Sequence, residues 1–341
     1  MGLSWLLLAS LAFSTCHHSH SASAQEEAIS PIESVASSIQ KTEIDSIKNA
    51  FFEAFNHGAI EGFRAYFDEE MRARNSEKKL RASFNSMAQQ IGLIRSLKLD
   101  KKEGNTFSFR SLHEKLISLQ VVFELNEAGA LTSLQFNSEF PDDKIAPLER
   151  NVSDLILPFR DEWYVFWGGK KASDNYHNSH ASMKGAFDFW VMGSNGLSHQ
   201  AGAKVNEDFY AFGKEIIAPV AGKVIYAFDE VQDNNWPAMN ASAGFGNVVL
   251  LETAKKEYFV FAHLQYKTVS VKEGQSVKQG DRLGLCGNSG NSTEPHLHFQ
   301  LQQLPDFNSA TGAWIYFKEI QVNGKKKRDY IPVKGDKVRN L

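Results

Sequence analysis

The apolar positions of the chain change their period along its length. Ile44, Ile47, Phe51 and Phe55 recur at helical spacing, which predicts a helix from Glu43. Leu80, Phe84, Met87, Ala88 and Ile91 form a second stripe of this kind, closed by Gly92 in the position where glycine ends a helix. The period then falls to two. Leu97 and Leu99, Phe107 and Phe109, then Leu119, Val121, Phe123 and Leu125 alternate with polar residues, and Asn126-Glu127-Ala128-Gly129 turns the chain into Leu131, Leu134 and Phe136. Two helices followed by an antiparallel meander predict a small α+β domain over residues 41–140, behind a flexible polar leader at 25–40. His57 and His113 stand alone in that domain and read as structural or solvated, so no chemistry is expected there.

A linker is expected over 141–154, around Pro141 and Pro147, and a second domain over 155–341. Leu155 to Phe159 and Trp163 to Gly169 lead into it. Beyond Phe212 the chain reads as short strands and turns: Ile216 to Pro219, Gly222 to Ile225, Val248 to Leu251 and Tyr258 to Phe261 are candidate strands. Gly274 and Gly280 mark paired turns, and the whole predicts an all-β domain.

Within it, Pro295-His296-Leu297-His298-Phe299 places two histidines at i and i+2 between apolar residues. On a strand, such residues project from one face, close enough to share a metal or to divide ligand and base duties. Neutral imidazole is the commonest metal ligand and titrates near neutrality. The polar loop Gly287 to Ser292 runs straight into this motif, and Ala262-His263-Leu264 precedes it.

Composition narrows the class. A chain of 341 residues with 42% hydrophobic and 23% charged residues is an ordinary globular protein large enough for two cores. A formal charge of −3 argues against a broad nucleic-acid footprint. The basic run Lys325 to Arg328 follows Asn323-Gly324 and reads as decoration of a hairpin turn. Leu3 to Phe13 is apolar but short for a membrane span, and Ala22-Ser23-Ala24 resembles a signal-peptidase site. Residues 1–24 are therefore expected to be a signal peptide, with export and a mature start at Gln25. Lipid modification at Cys16 is the second reading, because Phe13-Ser14-Thr15 fits a lipoprotein signal poorly. After cleavage Cys286 is the one cysteine left, which excludes an internal disulfide and suits a small buried residue.

A catalytic zinc site needs three protein ligands and one open position. His298 supplies one. Two pairs offer the rest: His177 with Asp188, and His199 with Asp208. Asp188 lies in the apolar run from Gly185 to Met192, where a carboxylate is costly unless a cation compensates it. Asp208 lies in a polar stretch where water suffices. Burial thus favours His177 and Asp188, and spacing alone leaves His180 open as an alternative to His177.

These residues give the second domain a resemblance to the lysostaphin-type (LytM-like) zinc metallopeptidases, which cut peptides of bacterial peptidoglycan. It is carried by Asn175-Tyr176-His177, Ala186-Phe187-Asp188-Phe189, Phe212 to Pro219 with Gly222, Gly246-Asn247, Ala262-His263-Leu264, Val269 to Leu283 and Gly287 to Phe299. It covers roughly residues 155–335, and the stretch Gly193 to Asp208 is longer than the turn of the smallest members. The resemblance implies a duplicated β hybrid fold, sandwich- or barrel-like. It implies one zinc held by His177, Asp188 and His298, with His263 and His296 catalytic. It also implies endopeptidase action on stem peptides or cross-bridges, in a groove walled by Asp229 to Phe245 and Pro305 to Trp314. A catalytically silent cell-wall-binding relative that activates another hydrolase is the alternative. Such relatives usually lack a ligand, whereas all five positions are filled here. A lipoyl- or biotinyl-type carrier shares the paired glycine turns but gives no reason for the two histidines.

Overall fold

A computed structural model describes residues 31–137, 148–307 and 310–341. The signal-peptide reading, Cys16 and the first part of the leader lie outside the described residues, as do the first half of the linker and residues 308–309 of one groove loop. The described residues form two compact units.

The first unit holds four helices: α1 Pro31–His57, α2 Ile60–Arg64, α3 Glu69–Arg74 and α4 Glu77–Ile91. Two corrections to the sequence reading follow. Helix α1 reaches back from Glu43 to Pro31, the first described residue, so part of the expected leader is helical. The helices α2 and α3 were not foreseen, because five or six residues are too short to display a period. Each of the last two helices is capped: Asp68 accepts from Met71 N at 2.7 Å and Ser76 from Lys79 N at 3.3 Å. Gly92 ends α4 with φ of 85°.

The strands β1 Ile94–Glu103, β2 Thr106–His113, β3 Ser118–Leu125 and β4 Leu131–Asn137 form an antiparallel meander in sequence order. Along β2 every second residue is buried, as a half-covered strand requires. Helices and sheet share a core centred on Phe51, whose ring lies 5.5–6.1 Å from those of Phe55, Phe63, Phe84, Phe123 and Phe136.

The second unit is β-rich. It runs through β5 Trp163–Trp167, β6 Phe187–Trp190, β7 Glu215–Ile217, β8 Gly222–Phe228, β9 Asn247–Glu252 and β10 Tyr258–Leu264. It continues through β11 Ser276–Val277, β12 Arg282–Leu285, β13 Leu297–Gln302, β14 Gly312–Ala313, β15 Phe317–Val322, β16 Lys325–Tyr330 and β17 Lys337–Arg339. The main sheet has the order β11-β8-β9-β10-β13-β6-β5-β17-β15-β16, with β14 on β13 and a separate β7–β12 pair. Strands β9, β10 and β13 are buried almost throughout, so the middle of the sheet is a rigid platform. Cys286 is fully buried in this core. The basic run needs a further correction: Asn323 and Gly324 alone make the tight turn, both with positive φ, and Lys325 to Arg328 lie along the edge strand β16. Lys326 and Arg328 pair with Glu319 on the neighbouring strand, and a charged edge discourages strand addition.

Candidate metal centre

Sheet register assembles the first part of the site. In the β6–β13 ladder Asp188 stands directly opposite His298. Opposed residues share a face, and His298 Nδ1 lies 3.0 Å from Asp188 Oδ1. His296 is two residues back on the same face, its Nε2 3.6 Å from that oxygen. His177 arrives from a 3₁₀ turn, Tyr176–Ser179. Asn175 caps this turn: its side-chain oxygen accepts from His177 N at 3.2 Å and from His177 Nδ1 at 2.9 Å. The Asn175 amide nitrogen donates to Ala186 O at 2.8 Å and so anchors the turn to the entry of β6.

These partners fix which ring nitrogen carries a proton. With Nδ1–H of His177 committed to Asn175, its Nε2 holds a lone pair, 3.6 Å from Asp188 Oδ2. That atom is buried and has no hydrogen-bond partner. In His298 both ring nitrogens face acceptors: Nε2 lies 3.0 Å from Gln300 Oε1 and Nδ1 3.0 Å from Asp188 Oδ1. Potential ligand atoms of His177, Asp188 and His298 thus converge within 4.8 Å of one another. Acceptors turned on one another in a buried site are costly unless a cation lies among them. Two imidazole nitrogens and a carboxylate oxygen are a donor set suited to zinc.

The electrostatics agree. Burial drives His177 down to about 4 against the pull of Asp188, so its ring is neutral at physiological pH. Burial pushes the Asp188 carboxyl up, but His177, His296 and His298 outweigh it and hold the group well below the usual carboxylate range. Both candidate ligands are therefore in the deprotonated form that a metal would need.

Two more imidazoles flank the group. Strand alternation would turn His263 away, since its neighbour Ala262 is the residue opposite His298. An extra residue in β10 between Phe261 and Leu264 breaks the register with β9, and His263 takes a positive φ of 60°. This bulge brings its ring centroid to 4.9 Å from that of His296 and 5.9 Å from that of His298. His263 Nδ1 donates to Ser289 O at 2.8 Å, and His296 Nδ1 to Glu294 O at 2.8 Å, so each presents Nε2. Ser289 O is held where it is by glycine packing. A Cβ on Gly290 would lie 2.4 Å from Gly246 N, a distance at which the loop could not close on the start of β9. Burial, with His296 and His298 adding to it, keeps His263 well below the ordinary histidine range. Phe245 and Phe307, from the two expected groove loops, pack against each other with ring centroids 4.9 Å apart and planes inclined by 60°, and the Phe245 ring lies 5.6 Å from that of His298.

The other candidates stand apart from this group. His180 caps the His177 turn through its backbone N–H and contributes no atom to the cluster. His199 donates Nδ1–H to Gln200 O and packs beside Phe209. Asp208 accepts from Lys204 N and Val205 N, bonds that lower its pKa without any metal. The sequence reading gave no role to Asn175, Gln300 or Gln302. A signal was available for the glutamines, because His296, His298, Gln300 and Gln302 occupy alternate positions of one strand.

Residues 206–311 match the sequence profile of peptidase family M23. The chain carries an M23 peptidase domain. The matched segment holds His263, His296 and His298, while His177 and Asp188 precede it. Among curated relatives, the peptidoglycan DD-endopeptidase ShyC of Vibrio cholerae is 30% identical over 128 residues, covering 34% of this chain and 27% of the relative. The murein hydrolase activator NlpD of Escherichia coli is 30% identical over 90 residues, 26% of this chain and 20% of the relative. The lysostaphin catalytic domain of Staphylococcus simulans is 24% identical, covering 33% of this chain and 81% of that structure with a TM-score of 0.23. The chain spans less than a third of the length of the curated relatives it matches. Among the described residues, no helix of the M23 domain or the first unit is long and apolar enough to cross a membrane.

Proposed function

We propose that this protein is an exported zinc metalloendopeptidase that hydrolyses peptide bonds in the stem peptides or cross-bridges of peptidoglycan. One observation carries the reading: the buried, partnerless Nε2 of His177 faces Asp188 and converges with it and His298 on one point. A structural histidine has no reason to keep such an atom. His177, Asp188 and His298 would hold the zinc. When bound, zinc supplies Lewis-acid polarisation of the scissile carbonyl and of the attacking water. The residues around it do the proton work. His263 and His296, each fixed by a backbone carbonyl at Nδ1, offer Nε2 to accept the proton of the water and return it to the leaving amine. Once protonated, the same nitrogen becomes a donor toward the developing oxyanion. Phe245 and Phe307 line the approach and exclude water. In the same reading the β-rich unit has the lysostaphin-type architecture, the signal peptide is lost at Ala24, and the first unit positions or restrains the catalytic one.

The likeness to a murein hydrolase activator favours a second reading, in which the domain binds cell wall and activates another enzyme. The full set of five site residues argues for the first. Incubation of the full chain with purified peptidoglycan, with and without a chelator, separates them. Chelator-sensitive release of new amino termini is the expected result; binding without cleavage would favour the activator.

A further inference from the structure

His263 is held from two directions by segments outside its own strand. Its backbone N–H donates to Phe245 O at 3.0 Å, at the end of the expected groove loop Asp229 to Phe245. Its ring Nδ1 lies 2.8 Å from Ser289 O, in the polar loop Gly287 to Ser292. The place of the ring therefore depends on how firmly these two loops are joined to the end of β10.

One carboxylate joins all three. Asp233, inside the groove loop, accepts from Asn288 N at 2.6 Å through Oδ1 and from Tyr266 N at 3.0 Å through Oδ2. Asn288 immediately precedes Ser289, and Tyr266 lies three residues beyond His263. One oxygen thus takes the loop that carries the partner of the ring, and the other takes the chain that carries the ring itself. The backbone continues the junction. Asp233 and Ser289 form an isolated antiparallel bridge, Asn234 N donates to Asn288 O at 2.9 Å, and Gly287 N donates to His263 O at 3.1 Å. Asn234 Nδ2 donates to Gly290 O and Ser292 O, each at 2.8 Å. There is no room for a side chain at 287, where a Cβ would lie 2.3 Å from Gln265 Cα and 2.6 Å from Asp233 Oδ1.

We propose that Asp233 is a positioning residue for the proton-transfer step: a two-pronged clamp that ties the loop Gly287 to Ser292 to the end of β10 and so sets His263 against the metal centre. The inference rests on the catalytic role given to His263 above. A carboxylate suits the task because it accepts through both oxygens, whereas an amide accepts through one. Asp233→Asn keeps the shape but turns an NH₂ toward one of the two backbone N–H groups, so one prong is lost. A reacting group misplaced by about 1 Å can cost about 100-fold in rate.

In the full chain Asp233→Asn should lower kcat on peptidoglycan fragments by about 10- to 100-fold, with KM little changed and one zinc retained. The decisive arm combines variants. In a His263→Ala background Asp233→Asn should change the residual turnover little, because no ring is left to position; in a His296→Ala background its penalty should persist. Equal penalties in both backgrounds would make Asp233 a general prop of the groove and overturn the proposal, as would near-normal kcat in the single variant. Two readouts need no catalysis. The ring ¹H–¹³C resonance of His263 should move in Asp233→Asn while those of His57 and His113 stay in place, and an unmoved resonance would overturn the clamp. Amide exchange of the unsubstituted chain should find Tyr266 and Asn288 N–H protected; free exchange at either would do the same. A chain that cleaves no peptidoglycan would defeat the enzyme reading, and these two readouts would still decide the clamp.

Discussion

His113 and His177 are both fully buried imidazoles, one in each unit, and burial lowers both to about 4. Their partners differ. In the helix-and-sheet unit His113 donates Nδ1–H to Gly92 O at 3.1 Å, and its Nε2 meets the Ser111 hydroxyl at 3.0 Å. Both nitrogens have a polar partner, the one proton of the Ser111 hydroxyl serving either Nε2 or Leu119 O, and the Phe55 ring covers its edge at 5.4 Å. In the β-rich unit Asn175 satisfies one nitrogen of His177 and the other is left facing acceptors. A perturbed pKa therefore does not separate a core histidine from a ligand here. The unpaid nitrogen does, because a buried acceptor without a donor persists where something else is meant to complete it.

The widest gap is expected on removing the rings themselves. His177→Ala should abolish zinc binding and peptidoglycan cleavage together, whereas His113→Ala should leave both intact in whatever fraction stays folded. Metal content by elemental analysis checks this. His199→Ala serves as the internal control and should retain zinc; loss of zinc there, with full retention in His177→Ala, would transfer the ligand role to the His199–Asp208 pair.

The next difference lies inside the M23 domain. His263→Ala and His296→Ala should each lower kcat by about 10²- to 10⁴-fold, the usual range for a proton-transfer group, while zinc content stays near one per chain. Steady-state cleavage of peptidoglycan fragments, paired with metal analysis, gives both numbers. Near-normal turnover in either variant would remove that residue from the proton work.

How much of this was legible depends on the range of the signal. His296 and His298 are two residues apart on one strand, so their common face follows from alternation alone. Asp188 was legible by conflict, as a charge in an apolar run that the register of β6 on β13 sets beside His298. The orientation of His263 was not legible, because a bulge reverses what alternation predicts. Asn175 was visible as part of a motif, but its capping bond needs coordinates. In the first unit the long helices and the meander showed through their periods, while α2 and α3 are too short for one. The N-terminal part of α1 was missed because residues 31–40 are mostly small and polar, which reads as leader.

The buried state of His113 carries a pH signature of its own. Its pKa is near 6.5 unfolded and about 4 folded, so the unfolded chain binds the extra proton first as pH falls. The stability this neutral ring contributes is complete above pH 6.5 and is lost progressively toward pH 4. The loss by the lower end is about 3 kcal/mol. Native-state hydrogen exchange of the β2 and β3 amides in the full chain, corrected for intrinsic rates, should show that decline between pH 6.5 and 4. Substitution of His113 by leucine should flatten it; an unchanged slope would place the pH dependence elsewhere.

The smallest effect is also the sharpest control on the comparison. Ser111→Ala removes the hydroxyl that lies 3.0 Å from both His113 Nε2 and Leu119 O and is, among the described residues, the one donor within reach of that nitrogen. It leaves His113 with an unpartnered ring nitrogen, the condition that marks His177. The expected cost is about 1–3 kcal/mol, the penalty of a buried polar atom left unsatisfied, read from the same β2 and β3 amides. Zinc binding should not appear in that unit. An orphaned nitrogen becomes a ligand only where other acceptors converge on the same point, and among the described residues the His177–Asp188–His298 group is where three do. A second zinc equivalent in Ser111→Ala would show that one unsatisfied imidazole is enough, and the argument from His177 Nε2 would lose its force. If the count stays at one, convergence is what distinguishes the metal centre from the core histidine.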